Sequence, residues 1–171
     1  MKKQIESIPN PYLSSSHSFK ENSHSVYNFH KTLPGYSPSP LLNLKHFARE
    51  IGIRDCYIKD ESQRLGLNAF KVLGASYAMA EEIKKYIPLR LSNLSFESIK
   101  SQSKSIDDLI FVTATDGNHG RAVAWCAEQY GCRAVVFMPK GTSKIRLKAI
   151  LEHKAKAEIT DLNYDETVKY A

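Results

Sequence analysis

Leu109-Ile110-Phe111-Val112-Thr113-Ala114-Thr115-Asp116-Gly117-Asn118-His119-Gly120 joins an apolar run to a polar, glycine-bearing turn. Its first half is a continuous apolar run, the pattern of a strand buried in a parallel sheet. Its second half is a polar turn with two glycines that opens a helix, expected over residues 119–130 and stopped by Gly131. The alternation then repeats. Residues 134–138 read as a strand, and Pro139-Lys140-Gly141-Thr142 as a turn. Thr142 or Ser143 can cap a helix reaching about residue 153. Residues 156–160 read as a third strand, and a further helix starts at Tyr164. Strands alternating with helices over short links predict right-handed βαβ units on a parallel sheet, an α/β fold. In such sheets ligands collect at the carboxyl ends of the strands, where the Thr115–Gly120 turn falls.

Upstream, a helix is expected over residues 71–86, with the small residues Gly74, Ala75 and Ala78 permitting close approach of another element. A short strand is expected over residues 56–59 and a helix over 44–51, ending at Gly52. Residues 1–40 read as irregular. Ser14-Ser15-Ser16 and five prolines interrupt any periodicity, and residues before proline are pushed out of the helical region. The serine-rich segment 91–108 reads as a loop or a weak helix over 96–102.

Composition narrows the class. The chain has 171 residues, of which 42% are hydrophobic and 25% charged, as in a soluble globular protein. No apolar run approaches membrane-spanning length, and no apolar segment follows the basic pair Lys2-Lys3 as a secretory signal requires. Cys56, Cys126 and Cys132 make no zinc-like spacing and fit free thiols in a reducing, cytoplasmic setting. The net charge of +6 is dispersed rather than gathered into an arginine-rich block, so no nucleic-acid partner is expected.

Two places carry chemistry. In Asn68-Ala69-Phe70-Lys71-Val72-Leu73-Gly74 a lysine stands at a helix start. The helix dipole and the flanking Phe70, Val72 and Leu73 disfavour its charged form, and a neutral amine can form a Schiff base with an aldehyde, pyridoxal phosphate being the usual one. A plain surface lysine is the alternative. In the turn after the first strand, Gly117 and Gly120 admit a ligand close to the backbone and Asn118 can bond a ring hydroxyl or a carboxylate. A tight turn with Asn118 in a left-handed conformation is the alternative. Asp116 reads as an acid or base, or as a helix cap. His119 reads as a polar helix-start residue, Trp125 as core, and Asp60 and Glu61 as polar loop-formers beside the lysine turn.

Taken together, Asn68-Ala69-Phe70-Lys71 with Gly74-Ala75, and Thr115-Asp116-Gly117-Asn118-His119-Gly120-Arg121, resemble the diaminopropionate ammonia-lyases. These are fold-type II enzymes related to tryptophan synthase β and the serine/threonine dehydratases. Phe29-His30-Lys31, Pro34-Gly35-Tyr36, Lys59-Asp60-Glu61-Ser62 and Asn163-Tyr164-Asp165-Glu166-Thr167-Val168 extend the likeness over most of the chain. An aspartate before Gly-Asn-His-Gly separates this family from the ordinary dehydratases.

The resemblance implies pyridoxal 5'-phosphate as cofactor and a small amino acid, 2,3-diaminopropionate, as substrate, eliminated to pyruvate and ammonia. It implies that Lys71 holds the cofactor covalently and later carries protons, that Asn118 bonds the ring's 3' oxygen and that Phe70 supports the ring. Asp116 would take the α-proton of one substrate enantiomer. It also implies that residues 1–75 are part of a large cofactor domain and 76–171 part of a small α/β domain, and that the complete enzyme is a homodimer.

The family's proteins are much longer. The eight glycines are dispersed with no two adjacent, so the glycine-rich phosphate loop of such enzymes is not found. The chain therefore reads as the N-terminal part of an incomplete fold-type II enzyme, marginally stable and inactive alone, with a separate C-terminal half as a partner. A dehydratase-like lyase and a non-catalytic fragment or binding module are the alternative readings.

Overall fold

The computed structural model describes residues 9–11, 23–87, 94–103, 106 and 109–171. The triple serine at 14–16 lies outside them. A three-stranded parallel sheet organises the second half: β3 (Ile110–Ala114), β4 (Arg133–Met138) and β5 (Lys156–Ile159), in that spatial order. Val112 pairs with Val135, and Val136 with Ala157. Helix α5 (Asn118–Tyr130) links β3 to β4, and α6 (Lys144–Leu151) links β4 to β5. The βαβ units expected from the alternation are therefore present.

Along β4 the side chains alternate in burial. Ala134, Val136 and Met138 are buried, whereas Val135 and Phe137 are half-exposed on the opposite face. Helix α7 (Tyr164–Tyr170) reaches that second face, with the Tyr170 ring edge-on to Phe137 at 5.0 Å. Its start is a full capping box between Asn163 and Glu166. One expectation needs correction. β3 is parallel but not fully buried, because among the described residues it bonds one strand neighbour and leaves Ile110 and Val112 exposed.

Helix α3 (Lys71–Lys84) packs across α5, and α4 (Phe96–Ser103) closes the end of that contact. The core holds Val72, Met79, Ala80 and Ile83 from α3, Ile99 from α4, and Ala124, Cys126, Ala127 and Tyr130 from α5. Two hydroxyls inside it bridge its helices. The Tyr130 hydroxyl donates to the Ser76 carbonyl (2.9 Å), and the Ser103 hydroxyl donates to the Tyr130 carbonyl. α3 runs through position 75 without a break.

The N-terminal region departs from its reading as irregular. Ser23–His30 forms a helix, α1, whose Phe29 is fully buried against Tyr77. Local composition hid it, since its stability comes from one aromatic anchor in the core rather than from helix propensity. A strand at Leu41–Asn43, β1, was also not expected. It pairs antiparallel with β2 (Tyr57–Lys59) across α2 (Lys45–Glu50). The small face of α3 is corrected too: Gly74 and Ala78 are exposed, and nothing within 4 Å faces Gly74 among the described residues. The buried face is instead the one carrying Ala75, Ser76, Met79 and Ala80.

Candidate active site

The loop before Lys71 is held from both sides. Arg64, itself buried, grips Glu61 with Nε and Nη2 at 2.6 and 3.0 Å, donates to the Ser37 carbonyl at 2.6 Å and lies 5.3 Å from the centre of the Tyr36 ring. The bidentate pair keeps the Glu61 carboxyl below its usual range, chiefly through the hydrogen bonds from Arg64. The Asp60 carboxylate accepts from the Ser62 amide, and its pKa is lowered by hydrogen bonding from the Ser62 side chain first and from that amide second. Leu65, Gly66 and Asn68 then turn the chain through left-handed conformations (φ 49°, 71° and 59°), and Arg121 of α5 donates to the Leu67 carbonyl at 3.3 Å. Lys71 follows as the first residue of α3.

The loop after β3 is tied to its own strand. Thr115 is buried, and its hydroxyl accepts from the Gly117 and Gly120 amides at 3.2 and 3.4 Å. Gly120 has no room for a side chain. A Cβ there would stand 2.3 Å from Thr115 Cγ2 and 2.8 Å from Val136 Cγ1, so glycine lets α5 sit directly on the sheet. Asn118 begins α5 in a right-handed helix, which removes the left-handed alternative for this residue.

These two loops meet. Lys71, Asp116, Gly117 and Asn118 line one open cleft, together with Arg146 from α6. Of the four residues singled out from sequence, the structure thus brings three together. Phe70 does not line that cleft and is 63% exposed. Val72 turns into the core on the other side of α3. The apolar surroundings expected for the lysine amine are therefore not formed by these neighbours, and Lys71 is exposed. His119 stands on the first turn of α5. Loss of water around its ring, and secondly the charge of Lys71, lower its pKa from the ordinary value.

Arg146 was missed by the sequence reading. Its Nη1 donates to the Asp116 carbonyl at 3.0 Å and lies 3.7 Å from the Asp116 carboxylate. A signal for it existed. Ser143 caps α6, accepting from the Arg146 amide, and the βα alternation puts the starts of α5 and α6 at the same sheet edge. A cation in the first turn of α6 therefore faces the loop that starts α5.

The donor set fits one end of a pyridoxal-type cofactor. It offers an amine for an aldehyde, an amide for a ring oxygen, a carboxylate for a proton and a second cation for an anionic group, all lining the same cleft. No group of three or more metal-ligating side chains occurs among the described residues, and none of their helices is long and apolar enough to cross a membrane.

Comparison with known proteins agrees with the motifs. A family model described as pyridoxal-phosphate dependent enzyme matches residues 32–171. Diaminopropionate ammonia-lyase of Salmonella typhimurium is 51% identical over 150 residues, covering 86% of this chain and 37% of that protein. The crystal structure of Escherichia coli diaminopropionate ammonia lyase in apo form superposes with a TM-score of 0.80 at 45% identity, covering 85% of this chain and 39% of that one. The same enzyme in complex with an aminoacrylate-PLP azomethine reaction intermediate gives 0.73 at 40% identity, covering 85% and 36%. The chain spans a little over a third of the length of these relatives.

Proposed function

The chain belongs to the pyridoxal-phosphate dependent enzymes, and from that premise we propose that it supplies the lysine-bearing part of a diaminopropionate ammonia-lyase. The observation that carries the reading is the convergence of Lys71, Asp116 and Asn118 on one cleft from two loops 45 positions apart, counted from 71 to 116. When bound, pyridoxal phosphate supplies an aldehyde for covalent attachment and a ring that draws electrons from the substrate's α-carbon.

In this reading the Lys71 amine would hold the cofactor and would carry protons at Nζ. The Asn118 amide orients the ring through its oxygen. The Asp116 carboxylate takes the α-proton from one enantiomer of 2,3-diaminopropionate, and the β-amino group leaves as ammonia. Pyruvate and a second ammonia follow on hydrolysis. Phe70 flanks Lys71 at the N-cap of α3 and is proposed to support the ring.

The reading also proposes that residues 1–75 contribute to a larger cofactor domain and 76–171 to a small α/β domain. It proposes that the working enzyme is a cytoplasmic homodimer, and that the phosphate group is held by residues corresponding to the rest of the relatives' length. A separate polypeptide supplying those residues is the partner to look for.

The test is turnover of D- and L-2,3-diaminopropionate with added cofactor, by the chain alone and mixed with a polypeptide covering the remaining length of the Salmonella relative. Pyruvate and ammonia are expected from the mixture and not from the chain alone, with loss for one enantiomer in Asp116→Asn. Equal turnover of serine or threonine, indifferent to Asp116→Asn, would instead favour a dehydratase-like lyase. No turnover in any mixture would favour a non-catalytic module.

A further inference from the structure

Asp116 is two-thirds exposed, and the bonds that shape its loop hold its neighbours rather than its carboxylate. Thr115 gathers the Gly117 and Gly120 amides, and the Thr115 amide bonds the Phe137 carbonyl of β4. A carboxylate on such a loop has several rotamers open to it, and a proton acceptor must stay within hydrogen-bond reach of its proton. One side chain addresses that freedom. Arg146 crosses from α6, and its Nη1 fixes the Asp116 carbonyl at 3.0 Å while lying 3.7 Å from Oδ2. Its Cδ, Nε and Cζ lie 3.7 to 3.9 Å from where a Cβ on Gly117 would stand, so the guanidinium lies along the bare face of the glycine.

Arg146 is itself placed by local structure. Ser143 is the N-cap of α6 and accepts from the Arg146 amide at 3.4 Å, and the Thr142 hydroxyl bonds the Pro139 carbonyl at 2.8 Å. The contact therefore joins two consecutive βα units across the carboxyl edge of the sheet. An ion pair this exposed adds little to stability, since solvent screens it and ordering two side chains costs entropy. Its use is directional: the Nη1 that bonds the Asp116 carbonyl also stands beside the Asp116 carboxylate, while the rigid guanidinium plane rests along Gly117.

We infer that Arg146 is a positioning residue, whose guanidinium tethers Asp116 and fixes its carboxylate over the Lys71 cleft. The tether is read from geometry alone, and its catalytic meaning rests on the proposal that Asp116 accepts the substrate's α-proton. An arginine is required for it, because a lysine at this position restores the charge but not the rigid plane that lies along Gly117 and aims Nη1 at Asp116.

The experiment uses isotope-labelled chain as wild type, Arg146→Ala, Arg146→Lys and Asp116→Asn. It follows the Asp116 side-chain carboxyl carbon, the Arg146 Nε–H signal and exchange of the Gly117 and Asn118 amides. In Arg146→Ala the carboxyl signal is expected to move and the two amides to exchange roughly tenfold faster, while signals of the α3–α5 core stay in place. Arg146→Lys recovers part of the carboxyl shift but not the slow exchange, and Asp116→Asn moves the Arg146 Nε–H signal. An unmoved Asp116 signal in Arg146→Ala, or full recovery of both readouts by lysine, overturns the tether. Collapse of the core signals in Arg146→Ala overturns it too, because Arg146 would then hold the fold rather than the loop. Turnover separates the second layer. With the tether seen by resonance, activity that Asp116→Asn does not change removes the base assignment and leaves the tether standing.

Discussion

Helix α3 has two faces with opposite characters. One face, Val72, Ala75, Ser76, Met79, Ala80 and Ile83, is buried against α5. The other begins with the exposed Lys71 and continues through the exposed Gly74 and Ala78. The same contrast runs through α5, whose length is packed while its first residues open on the cleft. The difference teaches that scaffold and chemistry are separable here. The α3–α5 core sets where the two helix starts lie, the Lys71 side chain contributes almost nothing to that placement, and Arg146 acts only on the local Asp116 loop. A polar cleft of exposed cations and one carboxylate is held by helices whose stability it does not share.

That separation can be broken at its strongest point first. Ile83 is fully buried, so Ile83→Ala should cost about 2–5 kcal/mol by leaving a cavity, read from the urea midpoint. Gly120→Ala should cost about 1–3 kcal/mol, since the new Cβ meets Thr115 and Val136 well inside contact distance. Tyr130→Phe should cost about 1 kcal/mol, because it removes only the bond to the Ser76 carbonyl. Lys71→Ala and Arg146→Ala should change stability by less than about 0.5 kcal/mol, as exposed substitutions do. A large loss from either cleft variant would merge the two regions.

The smallest effect is one of pH. His30 on α1 donates from Nε2 to the Leu73 carbonyl of α3 at 2.8 Å, and burial lowers its pKa, with the Arg64 charge adding to the shift. The unfolded chain takes up that proton first as pH falls. The contribution to stability is therefore full above the ordinary imidazole value near about 6.5 and is lost as pH drops through the lowered folded value. Urea midpoints followed downward from neutral pH should fall, and fall less steeply in His30→Gln.

The parallel sheet was legible because its apolar runs and short links admit few other arrangements. Apart from Arg146, the cleft was legible because the residues that line it stand at helix starts after glycine-bearing or polar turns. Three things were not. Helix α1 depends on Phe29 reaching a core built from residues far along the chain. The pair β1 and β2 depends on a register that neither three-residue strand announces. The exposure of Phe70 and Lys71 depends on which side of α3 is packed, and small residues on both faces concealed it.

Lys71 in this cleft is the residue proposed to take the cofactor. The most direct measurement is pyridoxal phosphate titration of the chain, followed by visible absorbance, borohydride reduction and mapping of the modified peptide, with Lys71→Ala in parallel. A cofactor adduct is expected on the peptide containing Lys71, absent from the variant, whose fold is unchanged. Modification spread over other lysines to the same extent in both proteins would contradict it.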